Sequence, residues 1–211
     1  RIVGLSLFVS ITATLVATLV GVPLGIWIGL KQFRGKGIVK LLLSTAMGIP
    51  PVVLGLVVVL VLARKGPLGS LGLLFTAQAM LIAQIILVLP IIAVGAMEAA
   101  ALKGKPIYEL MCTLGLKPME RVFRLIWELR SSVALAILTA FGRAISEVGA
   151  VMLVGGNIKG HTRVMTTYIA TQNSMGNFSN SIAMAIVLLT IALMVNALVH
   201  SLSGGLHGHS D

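Results

Sequence analysis

The stretch Lys103–Arg130, KGKPIYELMCTLGLKPMERVFRLIWELR, is a charged island in a chain that is otherwise close to continuous hydrocarbon. Apolar runs flank it on both sides, Thr76–Leu102 before and Ser132–Leu153 after. Charged residues make up 10% of the 211-residue chain, against about 25% in soluble domains. The apolar fraction is 57% and the mean hydropathy is +1.05. Too little polar surface is available to cover such a core in water, so the bilayer is the natural solvent. The chain therefore reads as an all-α integral membrane protein.

A span needs about 20 apolar residues. Five segments qualify: residues 6–30, 38–63, 76–102, 132–153 and 181–202. They form a single transmembrane domain over residues 1–211, with no linker or fixed-period repeat. Pro23, Pro50, Pro51 and Pro90 lie inside spans, where bundled neighbours satisfy the freed carbonyls.

Orientation follows from the basic residues of the loops. Lys31, Arg34, Lys36 and Lys40 follow the first span, and Lys103, Lys105, Lys117, Arg121, Arg124 and Arg130 follow the third. The opposite loops hold only Arg64, Lys65, Lys159 and Arg163. The island and the carboxyl end are thus expected in the cytoplasm. On the far side, residues 66–75 read as a Gly-rich turn and residues 155–180 as a polar loop.

The formal charge of +10 does not imply nucleic acid. The charges sit in short loops between spans rather than on one basic face, and membrane lipid is their expected neighbour. The single cysteine, Cys112, excludes an internal disulfide and a cysteine metal cluster. His200, His207 and His209 fall at or beyond the last span and read as a solvated tail, so no metal site is expected.

Small and hydroxyl residues recur along the first span at Ser6, Ser10, Thr14, Thr18, Gly21, Gly25 and Gly29. This is one helical face. Gly21, Gly25 and Gly29 let another helix approach closely; Ser6, Ser10 and Thr14 either share that packing or line a polar path. In the fourth span, Arg143 and Glu147 stand four residues apart with Ser146 between them. At that spacing the two charges can pair on one helical face. A charge in a span costs at least ~2.5 kcal/mol, so these residues read as a structural ion pair or as a gate on an anion path.

No catalytic constellation occurs. A phosphate loop, a zinc-protease motif and a nucleophile elbow are all missing. The chain is not expected to be an enzyme, and any fuel must be hydrolysed elsewhere.

The island itself resembles the cytoplasmic loop of permease subunits of ABC-type importers. That loop runs Glu-Ala-Ala, three residues, Gly, nine residues, Ile, any residue, Leu-Pro. Glu109-Leu110-Met111, Gly115, Leu125 and Trp127-Glu128 fall at those spacings. Leu110-Met111 replace the alanines and Glu128 replaces the proline. A second match, Glu98-Ala99-Ala100 with Gly104, falls at the end of an apolar span, and its downstream partners do not fit. Pro106 suits the start of a short helix, Gly115 its end and Pro118 the start of the next. Arg121 and Arg124 are expected to project into the cytoplasm.

The resemblance extends further. Ser146-Glu147-Val148-Gly149-Ala150 and Gly156-Asn157-Ile158 are similar to a block shared by molybdate, tungstate and sulfate permease subunits. GIPPVVLGL and GPLGSLGLLFTAQAM look like the same group, and HTRVMTTYIA looks more like the tungstate type. The resemblance implies the five-span core of a type I ABC importer permease in a prokaryotic inner membrane. It implies a coupling helix between spans three and four, with Glu109, Leu110, Met111, Gly115, Leu116, Lys117 and Arg121 docking an ATPase. Implied partners are a second copy, two cytoplasmic ABC ATPase subunits that use ATP and Mg, and an extracytoplasmic oxyanion-binding protein. No cofactor is implied for this chain. Tungstate is the expected cargo; molybdate, sulfate or another solute is the alternative within the architecture. A channel, an ion-coupled carrier or a membrane-embedded enzyme are alternatives of other classes.

Overall fold

The computed structural model describes residues 1–204, with side chains described through residue 197. The side chains of His200, His207 and His209 lie outside that range. The elements are α1 (Ile2–Leu30), α2 (Lys36–Met47), α3 (Pro51–Leu62), α4 (Ala77–Ala99) and α5 (Lys105–Thr113). They continue as α6 (Pro118–Glu128), α7 (Arg130–Ile145), α8 (Gly149–Gly155), α9 (Met165–Ser174) and α10 (Phe178–Gly204). Among the described residues three helices are long and apolar enough to cross a membrane, or up to five if each bent helix pair counts as one span.

α1 and α4 form the centre of the bundle. Their contact is as close as the glycine stripe allows. A methyl on Gly21 would lie 3.2 Å from Ile92, and one on Gly29 would lie 2.6 Å from the Met97 carbonyl. At Gly25 it would overlap the Ala93 carbonyl outright. Small residues bring backbones together so that dispersion contacts accumulate over the whole seam. Ala17, Val88, Ile92 and Ala96 complete this core, with Leu125 and Leu129 closing it at the island end.

Ser6, Ser10 and Thr14 are buried. Thr14 donates to the Ser10 carbonyl at 2.8 Å, and Ser6 accepts from the Met165 backbone N–H at 2.8 Å. Ser6 thus ties α1 to the start of α9.

The second predicted span is not one helix. α2 and α3 meet at a bend of 99°. Pro51 has no N–H for the Met47 carbonyl, and a residue before proline is pushed out of the helical region. Pro50 accordingly sits at φ −59°, ψ 127°. The fourth predicted span is broken as well, between Ile145 and Gly149. The polar stretch after it is only partly a loop. α9 occupies its middle and buries Met165, Thr166 and Thr167.

The third span shows the opposite departure. α4 and α5 run on as a single 37-residue helix, Ala77–Thr113. A π-helical stretch, Ala100–Gly104, joins them. Pro106 cannot bond to Leu102 and its ring would strike that carbonyl in an α-turn. The wider π turn takes up the misfit. The island therefore begins inside a helix that continues out of the bundle, not as a separate short helix.

Candidate functional site

Two places carry the residues singled out in the sequence. The first is the helix pair α5–α6 at the far end of α4. α5 stops where Gly115 takes φ +71°, a conformation that glycine adopts without the Cβ penalty. The Leu116 N–H then reaches back to the Met111 carbonyl at 3.3 Å, a Schellman-type closure. α6 starts at Pro118, and Glu120 in its first turn accepts from the Lys117 N–H at 3.4 Å. Proline at the start and an early carboxylate both suit a helix amino end.

Arg121 does not project outward. It is half-buried and folds back on the turn. Its Nε donates to the Leu116 carbonyl at 2.6 Å, and its Nη1 lies 3.0 Å from the Cys112 sulfur. It clips α6 to the end of α5. Met111 is buried and anchors α5; it offers no outward surface. Leu116 is half-buried, and Glu109, Leu110, Lys117 and Arg124 are exposed. Around them Leu114, Met119 and Phe123 also lie open. Exposed apolar side chains rimmed by charge, held on a clipped helix pair, are the makings of a protein-docking surface.

The second place is the break between α7 and α8. Glu147 is 5% exposed and Arg143 is exposed. The helix ends at Ile145, so the four-residue spacing no longer puts the two charges on one face. The Glu147 carboxylate turns inward and its Oε1 accepts from the Ala150 N–H at 3.1 Å, at the start of α8. Its backbone carbonyl accepts from the Thr166 hydroxyl at 2.8 Å. Ser146 stays exposed and donates to the Gly142 carbonyl at 2.8 Å.

The amino ends of α3 and α8 meet at this break. A methyl on Gly149 would lie 2.6 Å from Val52 and 3.6 Å from both the Val52 nitrogen and Glu147 Oε1. A methyl on Gly55 would lie 2.7 Å from Ala150. Two interrupted helices are thus held together by glycines around a buried carboxylate. Irregular backbone at membrane depth is tolerated where protein buries it or where it borders a cavity.

Gln84 belongs to this cluster and was not singled out from the sequence. Its Nε2 donates to the Ala144 carbonyl at 3.0 Å, and that carbonyl also accepts from the Glu147 N–H at 3.3 Å. Its Oε1 is buried without a partner among the described residues. The available signal was an amide side chain in the middle of an apolar span. Beyond the break, Asn157 at φ +50° accepts from Arg163 Nε at 3.1 Å and donates to Thr171 at 2.6 Å, which fixes the outer turn. Among the described residues no group of three or more acidic, histidine or cysteine side chains is placed to hold a metal ion.

Comparison with known proteins places this geometry. Residues 21–207 match the family model for the binding-protein-dependent transport system inner membrane component. The tungstate uptake system permease protein TupB of Peptoclostridium acidaminophilum is 46% identical, over 95% of this chain and 88% of that protein. A probable anion ABC transporter permease protein of Haloferax volcanii is 40% identical, over 93% and 87%. TupB of Campylobacter jejuni is 37% identical, over 81% and 72%.

Proposed function

The chain belongs to the family of binding-protein-dependent transport system inner membrane components, and from that premise we propose that it is the membrane-spanning subunit of an ATP-driven tungstate importer. It is a non-catalytic permease: the hydrolysis that drives it takes place in a separate ATPase, and a substrate-binding protein supplies the anion. The observation that carries the substrate is the 46% identity to a tungstate uptake permease along nearly the whole chain.

The finer assignments are our reading. The working unit is a homodimer with two ATPases on the cytoplasmic side and the binding protein outside. α2 supports the dimer, because none of its residues is buried within one copy. Val39 and Leu43 pack on the bundle, while Ile38, Leu41 and Leu42 stay open and offer an apolar face to a second copy. The α5–α6 pair, with Glu109, Leu110, Gly115 and Lys117, is the ATPase-docking element; Arg121 and Met111 hold its shape. It is cytoplasmic, as is the carboxyl end. ATP and Mg act in the ATPase, and this chain holds no cofactor of its own. Because α5 continues α4 as one helix through the π-helical stretch Ala100–Gly104, force on α5 passes to the centre of the bundle.

Arg143 and Glu147 then have different parts. Arg143 lies open on a spanning helix, where a cation faces water or a partner rather than lipid. It is the candidate for positive potential along the anion path. Glu147 and Gln84 hold the broken-helix junction behind it.

The test is uptake of labelled tungstate into proteoliposomes that contain the permease, its ATPase and its binding protein. Accumulation requires ATP and the binding protein, and unlabelled tungstate competes better than molybdate or sulfate. Uptake that proceeds without the ATPase, or follows an ion gradient, contradicts the reading in favour of a channel or carrier. Molybdate or sulfate as the better competitor overturns the substrate alone.

A further inference from the structure

At the island end of the bundle, α1, α5 and α6 enclose a groove of about 740 Å³. Pro23, Ile26 and Trp27 from α1 and Val122 and Ile126 from α6 give it apolar lining. Its polar rim carries Lys31, Lys105 and the Tyr108 side chain, with Glu109 as the one acidic member. Pro23 to Lys31 is two turns of helix, about 12 Å along the axis. Along α1 the lining therefore changes from apolar at Pro23 to cationic at Lys31.

Its neighbours mark the same level. Trp27 is 53% exposed and stacks on Phe33, with ring centroids 5.4 Å apart. Aromatic side chains with lysines at the end of a span sit where the headgroups lie. Lys36 donates to the Gly29 and Lys31 carbonyls at 3.0 and 2.9 Å. That bridge fixes the turn which presents Lys31 and adds a third ammonium behind the rim.

We propose that this groove is a binding site for an anionic phospholipid, with the headgroup phosphate on Lys31 and Lys105 and an acyl chain along Pro23, Trp27 and Ile126. Two ammonium groups against one carboxylate leave the rim net positive, which complements a phosphate. The apolar lining offers an acyl chain a surface that a free phosphate ion cannot use. Basic pockets between membrane helices take anionic headgroups for these reasons. Such a lipid wedges between the end of α1 and the α5–α6 pair, and so bears on how freely that pair moves. The site does not depend on the transport assignment.

The chain offers its own reporter, since it has two tryptophans and Trp27 lines the groove. In a Trp127→Phe background, Trp27 fluorescence is read in bilayers doped with brominated-chain phosphatidylglycerol or phosphatidylcholine. At low mole fraction the glycerol lipid quenches several-fold more than the choline lipid. Lys31→Gln with Lys105→Gln removes that difference, and Lys31→Arg with Lys105→Arg keeps it. Equal quenching by the two lipids with both lysines present overturns the site. So does failure of both lipids to quench, which means that another protein chain fills the groove. If the glutamine pair does not fold, the comparison with both lysines present decides alone.

Discussion

Glu147 shows how a carboxyl group is kept inside a membrane bundle. Its carboxylate closes the start of α8 on the Ala150 N–H, and its carbonyl holds Thr166 of α9. Glu147→Ala removes the acceptor and leaves that N–H buried, a loss of about 1–3 kcal/mol. Glu147→Gln keeps a carbonyl oxygen in the same place. We expect thermal unfolding in detergent to fall clearly for alanine and much less for glutamine; an equal fall for both contradicts the capping role. Gly25 makes a second prediction. A side chain there meets the Ala93 backbone, which cannot yield without parting α1 from α4. Gly25→Leu abolishes folded protein on size exclusion, whereas Gly37→Ala, inside α2 with nothing within 4 Å, is tolerated because alanine suits a helix better than glycine. The glycine stripe was readable because its spacing already defined a face. The pairing of Arg143 with Glu147 was misread because the spacing argument presumes a continuous helix. Nothing in AISEVGA announces the break as a proline would; the backbone turns there because Glu147 and Ser146 satisfy it locally.

At the scale of elements, the breaks decide the architecture. Pro50 and Pro51 were visible as proline inside a span, but their effect was not. Whether such a pair merely tilts a helix or bends it by 99° depends on what the second half packs against. Here α3 turns to meet α8 at Gly55 and Ala150. Pro106 gave the reverse error, since a π stretch let the helix run through it. The α5–α6 turn was legible in outline from Gly115 and Pro118, and the structure adds the Arg121 clip. Gly115→Val puts a β-branched residue at φ +71°, at a cost of about 1–2 kcal/mol. Arg121→Ala releases α6 from the Leu116 carbonyl. We predict that both variants insert and fold, yet show faster amide hydrogen exchange across residues 110–124 and reduced tungstate uptake. Normal exchange in Arg121→Ala shows that the clip is dispensable.

Seen whole, one copy is an unfinished surface. No residue of α2 is fully buried, and much of the outer side of α1 and α10 is apolar and open, with Leu19, Leu189 and Leu193 as examples. Bilayer and partners must divide that surface between them. A cysteine in place of Leu41, in a Cys112→Ser background, is predicted to cross-link two copies; a protein that stays monomeric under oxidation contradicts the α2 contact. Hydropathy could find the spans but could not divide their faces, because lipid and a second copy ask for the same residues. The central claim is that energy from a separate ATPase enters through the α5–Gly115–α6 element. It is tested most directly by purifying the complex with its ATPase and binding protein and measuring tungstate-stimulated ATP hydrolysis in Gly115→Asp. The account predicts that this variant reaches the membrane folded but loses the ATPase on purification, and with it the stimulated hydrolysis. A complex that assembles and responds to tungstate as the unmodified protein does would contradict it.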